Sequence, residues 1–334
     1  VFGGYLIALL INYGNISLTN EYAKHTIRGG NDLTMDINGE EVVAASSGLD
    51  KDYITKWSYG KGESFTLLSP YVKGSHSGHI TQSKFQDLVD DSDRKRAEKK
   101  AILEAPFGLY YGEQPFTSGP VYLGVIVIFL ALLGLVFLKS KLKWALFGIS
   151  VLALFLSWGE NFMGLSDLFI DYFPGYNKFR TVTIILVVLE LCIPVIGILL
   201  LEKFWNERES IKVFKKKFLI VSGSFMVLLI GLKVIGLGDN FTNSKEVAQM
   251  DEEVLRQTET NNIYNISPQE LSQYGIDKNN AEQMNSVIES QIVQKVDAYD
   301  GTKSLRRDIF NSSTTRSIMF GFAVIGIMAL FFYS

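Results

Sequence analysis

The sequence is poor in cysteine and carries little excess charge of either sign. Cys192 is the only cysteine among 334 residues, which excludes an internal disulfide and a cysteine-based metal cluster. The 32 lysines and arginines nearly balance the 35 acidic residues, so the basic excess of a nucleic-acid binder is missing. Because 47% of the residues are hydrophobic, the composition also excludes a disordered chain. The composition is therefore that of a folded protein without internal disulfides and without the charge of a nucleic-acid binder.

Long apolar runs are abundant. A helix needs roughly 20 apolar residues to cross the hydrocarbon core of a bilayer. Runs near that length occupy residues 121–138, 182–201, 218–237 and 318–333. A fifth run, 144–158, is shorter but has a tryptophan at each end, as interface-anchored helices do. The sequence therefore predicts a mainly α, polytopic transmembrane bundle of about six spans, with residues 1–12 as the end of a truncated first span in a piece of a longer protein.

Short basic connections predict the orientation of these spans. Lys139, Lys141 and Lys143 crowd one connection, and six further lysines and arginines follow Leu201. Short basic loops stay in the cytoplasm, so both connections are expected inside. The predicted order is an extracytoplasmic segment 13–119, a four-helix membrane region 120–237, an extracytoplasmic helical segment 238–316 and a membrane helix 317–334.

The two outer segments have different patterns. The first is predicted to be mixed α/β or loop-rich, because residues 63–68 alternate as a strand does and residues 82–105 follow as a helix with a solvated, charged face. The second is predicted to be helical, because Ser267-Pro268 is a helix start signal and an amphipathic stripe runs from 280 to 298.

Two ionisable residues interrupt the apolar runs. Glu190 lies within 182–201, four residues before Pro194, and a carboxyl group in hydrocarbon is costly. It should therefore face protein or water, either as a functional group or as a packing residue beside the proline. Lys233 lies near the outer end of its span, where its ammonium group can reach the interface.

Residues 165–180 predict an anion site at the membrane surface. Leu165, Leu168, Phe169 and Tyr172 share one helical face, which indicates an interfacial helix at 165–173 that ends at the Pro-Gly pair 174–175. Lys178 and Arg180 follow this pair, at the start of the next membrane helix. Positive charge at that position opposes both the dipole of the helix and the positive-inside bias. Bound phosphate would offset both effects, and ordinary lipid headgroups are the alternative ligand. The predicted phosphate-binding residues are Tyr176, Asn177, Lys178 and Arg180.

Further candidates lie in the first outer segment. Asp50 and Asp52 have the Asp-x-Asp form that holds a divalent metal ion in nucleotide-sugar enzymes, although residues 91–93 match equally well. A divalent metal ion is thus the only cofactor suggested, and no metal-ligand set is assigned. His76 and His79 are either ligands, proton carriers or ordinary loop residues.

Aromatic residues are dense in the same segment. Faces of aromatic rings beside carboxylates and amides suit sugar rings, and they suit the membrane interface equally well. The predicted sugar- or acceptor-binding residues are Trp57, Tyr59, Tyr111, Glu113 and Gln114.

Several of these stretches resemble the YfhO-like membrane proteins of Bacteroidetes-type bacteria. The stretches are 21–30, 48–53, 57–60, 67–74, 111–124 and 174–180, of which 111–124 (YGEQPFTSGPVYLG) is the most specific. The family is similar to the GT-C class of glycosyltransferases, which have many membrane helices and take the sugar from a polyprenyl-phosphate carrier on the outer face. The resemblance implies a bacterial cytoplasmic (inner) membrane location and a role in decorating envelope polymers such as teichoic acids.

The resemblance also implies roles for particular residues. Lys178 and Arg180 would hold the polyprenyl phosphate. The general base of the class is an acidic residue in the first outer loop, which is expected to precede Val1, so Asp50, Asp52 and Glu113 remain as substitutes. The implied partners are the lipid-linked sugar, an envelope acceptor and membrane lipids, with neither nucleotide sugar nor nucleic acid.

Two other functions are compatible with the sequence. One is a transporter or flippase of lipid-linked or envelope precursors, in which Glu190 and Pro194 form a broken helix. The other is a non-catalytic scaffold for envelope assembly.

Overall fold

A computed structural model of the chain describes residues 2–23, 25–26, 48–82, 85–90, 92–206, 215–236 and 240–333. These residues are mainly helical, and the only strand-like pairing among them is an isolated bridge between Val72 and Gly74. The helices are α1 (Phe2–Ala23), α2 (Lys51–Thr55), α3 (Gln86–Asp90), α4 (Arg96–Glu104), α5 (Val125–Phe137), α6 (Leu142–Ser157), α7 (Met163–Tyr172), α8 (Leu186–Asn206), α9 (Lys215–Ile235), α10 (Ser244–Gln249), α11 (Glu252–Asn265), α12 (Pro268–Gln273) and α13 (Ala281–Tyr333).

Three helical segments are long and apolar enough to cross a membrane: Val182–Asn206, Lys215–Ile235 and Ala281–Phe331. A fourth crossing is formed only if the pair Leu142–Ser157 and Gly159–Tyr172, bent by 114°, counts as one broken span. The predicted mainly α fold is therefore confirmed, and the apolar helices are those that a membrane protein could use as spans. The six predicted spans are not confirmed among the described residues.

Two of the predicted spans account for the difference. The apolar run 121–138 forms α5, whose 13 residues are short of a full crossing. The run at the beginning of the chain belongs to α1, which continues to Ala23 without a break at residue 12 and is not among the candidate spans.

The chain divides into two compact units, the first comprising Val1–Lys61 with Ile149–Leu189 and the second Gly62–Gly148 with Glu190–Ser334. In the first unit, α2 packs on α7 through a core of Leu49, Ile54, Ile170 and Val182. A helix is present at the predicted place, as α7, and its residues Leu168 and Tyr172 are exposed. The turn that follows uses Gly175 at φ +81°, a conformation that favours glycine.

In the second unit, α5, α9 and α13 share an apolar core with the end of α8. Representative core residues are Phe129, Leu133, Phe204, Phe225 and Leu229. Glycines allow close approaches between helices: Gly134 of α5 lies against the backbone of Ile196 in α8, and Gly301 of α13 lies beneath Ile102 of α4. Helix α13 is continuous over 53 residues and packs against both α4 and α9.

The predicted strand at 63–68 is wrong. Residues Gly62–Leu67 form a 3₁₀ helix, in which residues three apart share a face. Glu63 and Thr66 are both buried on that face, where Glu63 accepts a hydrogen bond from the Tyr110 hydroxyl. Alternation of polar and apolar residues over six positions fits a short helical turn as well as a strand. The tertiary contacts of the segment therefore determined which of the two structures forms.

The predicted helix at 82–105 is also wrong in extent, because α3 and α4 are separate helices. Arg94, between them, donates to Asp308 at 2.6 Å and to Ser304 at 3.1 Å, so the charge run is not only a solvated face. The segment 238–316, predicted to be extracytoplasmic, is helical over most of its described residues, as predicted. The Ser267 hydroxyl accepts the Glu270 N–H at 3.2 Å, and Met284 and Ile288 of the stripe are buried.

Candidate functional site

The first unit contains a cluster of one arginine and two aromatic rings. The guanidinium carbon of Arg180 lies 5.5 Å from the ring centroid of Tyr53 and 5.4 Å from that of Trp57. Nη1 of Arg180 also donates a hydrogen bond to the Tyr53 hydroxyl oxygen at 2.6 Å. Nearby aromatic rings and a fixed hydrogen bond restrict the orientation of a guanidinium group before any ligand arrives. Arg180 is therefore preorganised.

Within the part of the chain that the structure describes, no acid balances the positive charge of this cluster. Arg180 is exposed, and no carboxylate among the described residues forms an ion pair with it. The Lys56 ammonium lies 5.8 Å from the Trp57 centroid and adds a second cation. The segment Val182–Asn206, which is long and apolar enough to cross a membrane, begins two residues after Arg180. The remaining N–H groups of the Arg180 guanidinium can bind an anion in bidentate fashion.

Backbone contacts hold the segment that carries Arg180. The N–H of Thr181 donates to the carbonyl of Ile54 at 3.3 Å, and the N–H of Leu49 donates to the carbonyl of Asn177 at 2.9 Å. Thr181 has φ +68°, which is rare for a β-branched residue and costs energy. The core around Val182 maintains this strained turn directly beside the exposed arginine.

The other predicted phosphate-binding residues help to shape the turn. The Tyr176 ring packs against Phe169 at 5.7 Å, and its shielded hydroxyl has no hydrogen-bond partner among the described residues. Burial raises the pKa of Tyr176, which keeps this hydroxyl a neutral donor. The Asn177 side chain lies directly against Gly48, where a Cβ would be 2.8 Å from its Nδ2 atom. Lys178 ends the 3₁₀ turn Tyr176–Lys178.

An ion-pair cluster beside this site was not predicted from the sequence. Lys51 of α2 contacts Asp167 at 2.7 Å and Asp171 at 3.2 Å, both on α7. Hydrogen bonds from Asp167 first and Asp171 second raise the pKa of Lys51. The two aspartates are four residues apart on one face of a helix, which is the only signal that could have suggested the cluster.

The structure gives Asp50 a structural role. Its carboxylate accepts the N–H of Asp52 at 2.9 Å and caps α2, while Asp52 itself is exposed. Across the part of the chain that the structure describes, no group of three or more His, Cys, Asp or Glu residues could hold a metal ion. The Nδ1 atom of His79 lies 2.8 Å from the Thr81 hydroxyl, within its own loop.

The predicted sugar-binding residues fall into both units. Trp57 and Tyr59 belong to the first unit, but Tyr59 is only 2% exposed and the Trp57 ring is contacted by cations. In the second unit Tyr111 is 1% exposed, and its hydroxyl donates to the Val72 carbonyl at 2.6 Å. Tyr59 and Tyr111 therefore act as core residues here, not as open platforms for a sugar ring.

The remaining two members of that set differ from each other. Glu113 is exposed, and the Gln114 N–H donates to the Tyr110 hydroxyl oxygen at 2.9 Å. Tyr110 in turn donates to buried Glu63, and burial together with the Glu63 charge raises the pKa of Tyr110. Glu63 and Tyr110 form a buried polar network that the sequence did not reveal, because 47 residues separate them.

The two ionisable residues in the apolar runs are placed differently. Glu190 is exposed on α8, and this helix continues through Pro194 without a break. Lys233 of α9 donates a hydrogen bond to the Thr315 hydroxyl of α13.

No protein-family model, curated protein or solved structure matches this chain. The class of the protein therefore rests on its own structure, whose described residues are mainly helical and include three helices long and apolar enough to cross a membrane.

Proposed function

We propose that this chain belongs to a membrane glycosyltransferase-like protein that binds a polyprenyl-phosphate-linked sugar through Arg180. The sugar would pass to a cell-envelope acceptor on the outer face of a bacterial cytoplasmic membrane. The observation that carries the proposal is the geometry of Arg180, which is exposed, held near two aromatic rings by a hydrogen bond to the Tyr53 hydroxyl, and free of any acidic partner among the described residues.

The surroundings of Arg180 suit an anion attached to an apolar tail. Phe179 is exposed beside it, as are Leu168, Tyr172 and Phe173 of the preceding helix and turn. Exposed aromatic and aliphatic side chains next to cations are typical of surfaces at the boundary between headgroups and acyl chains. A polyprenyl phosphate combines these two chemistries in one molecule, since its phosphate would contact Arg180 and its isoprenoid chain would lie along the apolar residues.

Each residue then has a definite role. Arg180 binds phosphate oxygens, and Tyr53 and Trp57 fix the plane of its guanidinium group. Lys178 adds positive charge to the same turn. No general base is assigned. Asp50 caps α2, and the other two candidates, Asp52 and Glu113, are exposed side chains in different units.

The continuity of α8 favours this function over transport. A transporter of the kind considered above would place a discontinuous helix at Glu190 and Pro194, and α8 is continuous there. A non-catalytic scaffold that binds the same lipid would share the phosphate site, so binding and transfer have to be measured separately.

The binding test uses the full-length protein in nanodiscs, with decaprenyl phosphate as probe and decaprenol as the uncharged comparison. Arg180→Ala should weaken binding of the phosphate by about 10- to 100-fold, because a hydrogen bond to a charged group contributes about 1.5–3 kcal/mol. Arg180→Lys should recover only part of this loss, because lysine cannot stack and bind in bidentate fashion. Lys61→Ala, an exposed change in the same unit, is the matched control.

Two results would contradict the proposal. Equal binding of decaprenol and decaprenyl phosphate would remove the phosphate from recognition, and full competition by phosphatidylglycerol would assign the site to ordinary headgroups. A third result would favour the scaffold. In that case the Arg180→Ala protein no longer binds the lipid phosphate, while the envelope glycan of the Arg180→Ala strain is unchanged.

A further inference from the structure

Lys56 is a second cation beside the Trp57 ring, and the function proposed above leaves it without a role. Its ammonium nitrogen lies 5.8 Å from the Trp57 ring centroid, and the guanidinium carbon of Arg180 lies 5.4 Å from the same centroid. Lys56 is exposed, and among the described residues no carboxylate forms an ion pair with it. Two positive charges are thus gathered at one aromatic side chain.

The last turn of α2 places Lys56 there. Lys56 follows Tyr53 by three residues and Trp57 follows Tyr53 by four, and Lys56 keeps helical backbone angles (φ −53°, ψ −31°). Side chains at these spacings lie on one side of a helical turn. The hydrogen bond from Arg180 to the Tyr53 hydroxyl, at 2.6 Å, brings the guanidinium group to the same side.

The acids of this part of the chain leave Lys56 unpaired. Asp52 lies four residues before Lys56, a spacing at which helical ion pairs form. These two exposed side chains nevertheless form no ion pair. Lys51, by contrast, contacts both Asp167 and Asp171. The charge of Lys56 therefore remains available to a ligand, whereas that of Lys51 is already matched.

A sugar phosphate on a lipid carrier changes its charge when the sugar leaves. In the carrier the phosphate is a diester with one negative charge. During transfer the bond between sugar C1 and the phosphate oxygen breaks, and its electron pair stays on that oxygen. The acceptor hydroxyl oxygen bonds to C1, and its proton passes to water. The released polyprenyl phosphate is a monoester, which carries close to two negative charges above its second pKa of about 6.

We propose that Lys56 is a catalytic residue of the Arg180 site, and that its ammonium group contacts the phosphate oxygen from which the sugar departs. This inference rests on the function proposed above. Arg180 binds the intact carrier, and Lys56 stabilises the second negative charge as it forms. A group that interacts more strongly with the departing phosphate than with the intact carrier lowers the barrier to transfer, instead of only tightening binding.

The two cations are suited to different parts of this task. The Arg180 guanidinium is held by the Tyr53 hydroxyl, so its position is set before the carrier binds. The Lys56 ammonium is a compact point charge on a flexible four-carbon stem. It can therefore follow the phosphate oxygen on which the charge develops.

The test compares two probes that differ by one methyl group and one negative charge. At pH 8.5 decaprenyl phosphate is a dianion, and methyl decaprenyl phosphate is a monoanionic diester. The full-length wild-type protein in nanodiscs should bind the dianion about tenfold more tightly than the diester. Lys56→Gln should reduce this preference to about twofold or less and change the affinity for the diester by less than about twofold.

Two further variants serve as controls. Lys56→Arg keeps the positive charge and should keep most of the preference for the dianion. Lys61→Ala removes an exposed lysine of the same unit that does not contact Trp57, and it should leave both affinities unchanged. In a strain that carries Lys56→Gln, the amount of envelope glycan should fall.

The role of Lys56 is overturned if Lys56→Gln weakens both probes equally or leaves the preference intact. Unchanged envelope glycan in the Lys56→Gln strain would also overturn it. Arg180→Ala, measured in parallel, should weaken binding of both probes and so separates the two levels of the argument. If Arg180→Ala weakens both probes while Lys56→Gln leaves the preference intact, only the role of Lys56 fails. If Arg180→Ala weakens neither probe, the proposed function fails as well.

Discussion

Arg306 and Glu246 form a bidentate ion pair inside the second unit, with both N···O distances at 2.7 Å. The Arg306 side chain is completely buried, and its guanidinium group also donates to the carbonyls of Phe241 and Gly108. This group therefore joins α13 to α10 and to the loop before α5.

Removal of one partner should be strongly destabilising, because the other charge is left buried and unpaired. Arg306→Ala is expected to lower the free energy of unfolding by about 3–5 kcal/mol. The matched control is Arg256→Ala, which breaks the ion pair between Arg256 and Glu289. The two side chains are 55% and 51% exposed, respectively. That change should cost about 0–1 kcal/mol. Denaturant titration of the full chain in micelles measures both, and equal losses would contradict the buried role of Arg306.

The close approach of α5 and α8 at Gly134 gives a second prediction. A Cβ on Gly134 would lie 2.7 Å from Ile196 Cγ2 and 2.9 Å from the Ile196 carbonyl oxygen, so the helices would have to separate. Gly134→Ala should therefore lower stability by about 1–3 kcal/mol. Gly223→Ala in α9 meets nothing within 4 Å and should raise stability by about 0.5–1 kcal/mol through helix propensity. Thermal unfolding of both variants checks the contrast, and a similar shift in both would rule out steric contact as the cause.

The buried Tyr110 hydroxyl predicts a loss of stability at high pH. Its pKa is raised in the folded state, so its stabilising contribution is complete below the unfolded value of about 10 and is lost as the pH rises above it. Within that window each pH unit should remove up to about 1.4 kcal/mol, because the unfolded tyrosine ionises and the folded one does not.

Tyr110→Phe should flatten this alkaline slope while lowering stability at neutral pH by about 1–3 kcal/mol, since Glu63 and the Gln114 N–H lose a partner. Exposed Tyr274→Phe is the control and should leave the slope unchanged. The test is the free energy of unfolding measured from about pH 9 to 11. An identical slope of this free energy against pH in wild type and Tyr110→Phe would assign the alkaline loss of stability to other groups.

The predicted orientation can be measured with single cysteines in a Cys192→Ala background. Lys61→Cys should react with an impermeant thiol reagent in intact cells, because its segment is expected outside. Ser140→Cys should react only after permeabilisation, because it lies in a lysine-rich connection. Both positions are exposed in the structure, so lack of access to solvent would not explain a negative result. The reverse pattern of labelling would invert the proposed location of the Arg180 site.

Local patterns predicted the elements that local physics controls. The apolar runs 182–201 and 218–237 became long apolar helices, and Ser267 became an N-cap, because hydropathy and capping act within a few residues. The anion site was predicted at Arg180 from its position before a span. Its aromatic support was not predicted, because Tyr53 is 127 residues away.

The sequence by itself determined that the chain is rich in apolar helices, with polar segments between them and a cation before the span at 182. Composition and periodicity suffice for this, since they set which segments leave water. Only the tertiary structure decided that Tyr111 is a core residue, that Arg180 lies against Tyr53 and Trp57, and that Arg306 is buried against Glu246. These outcomes depend on contacts between distant segments, whose energies no local pattern contains.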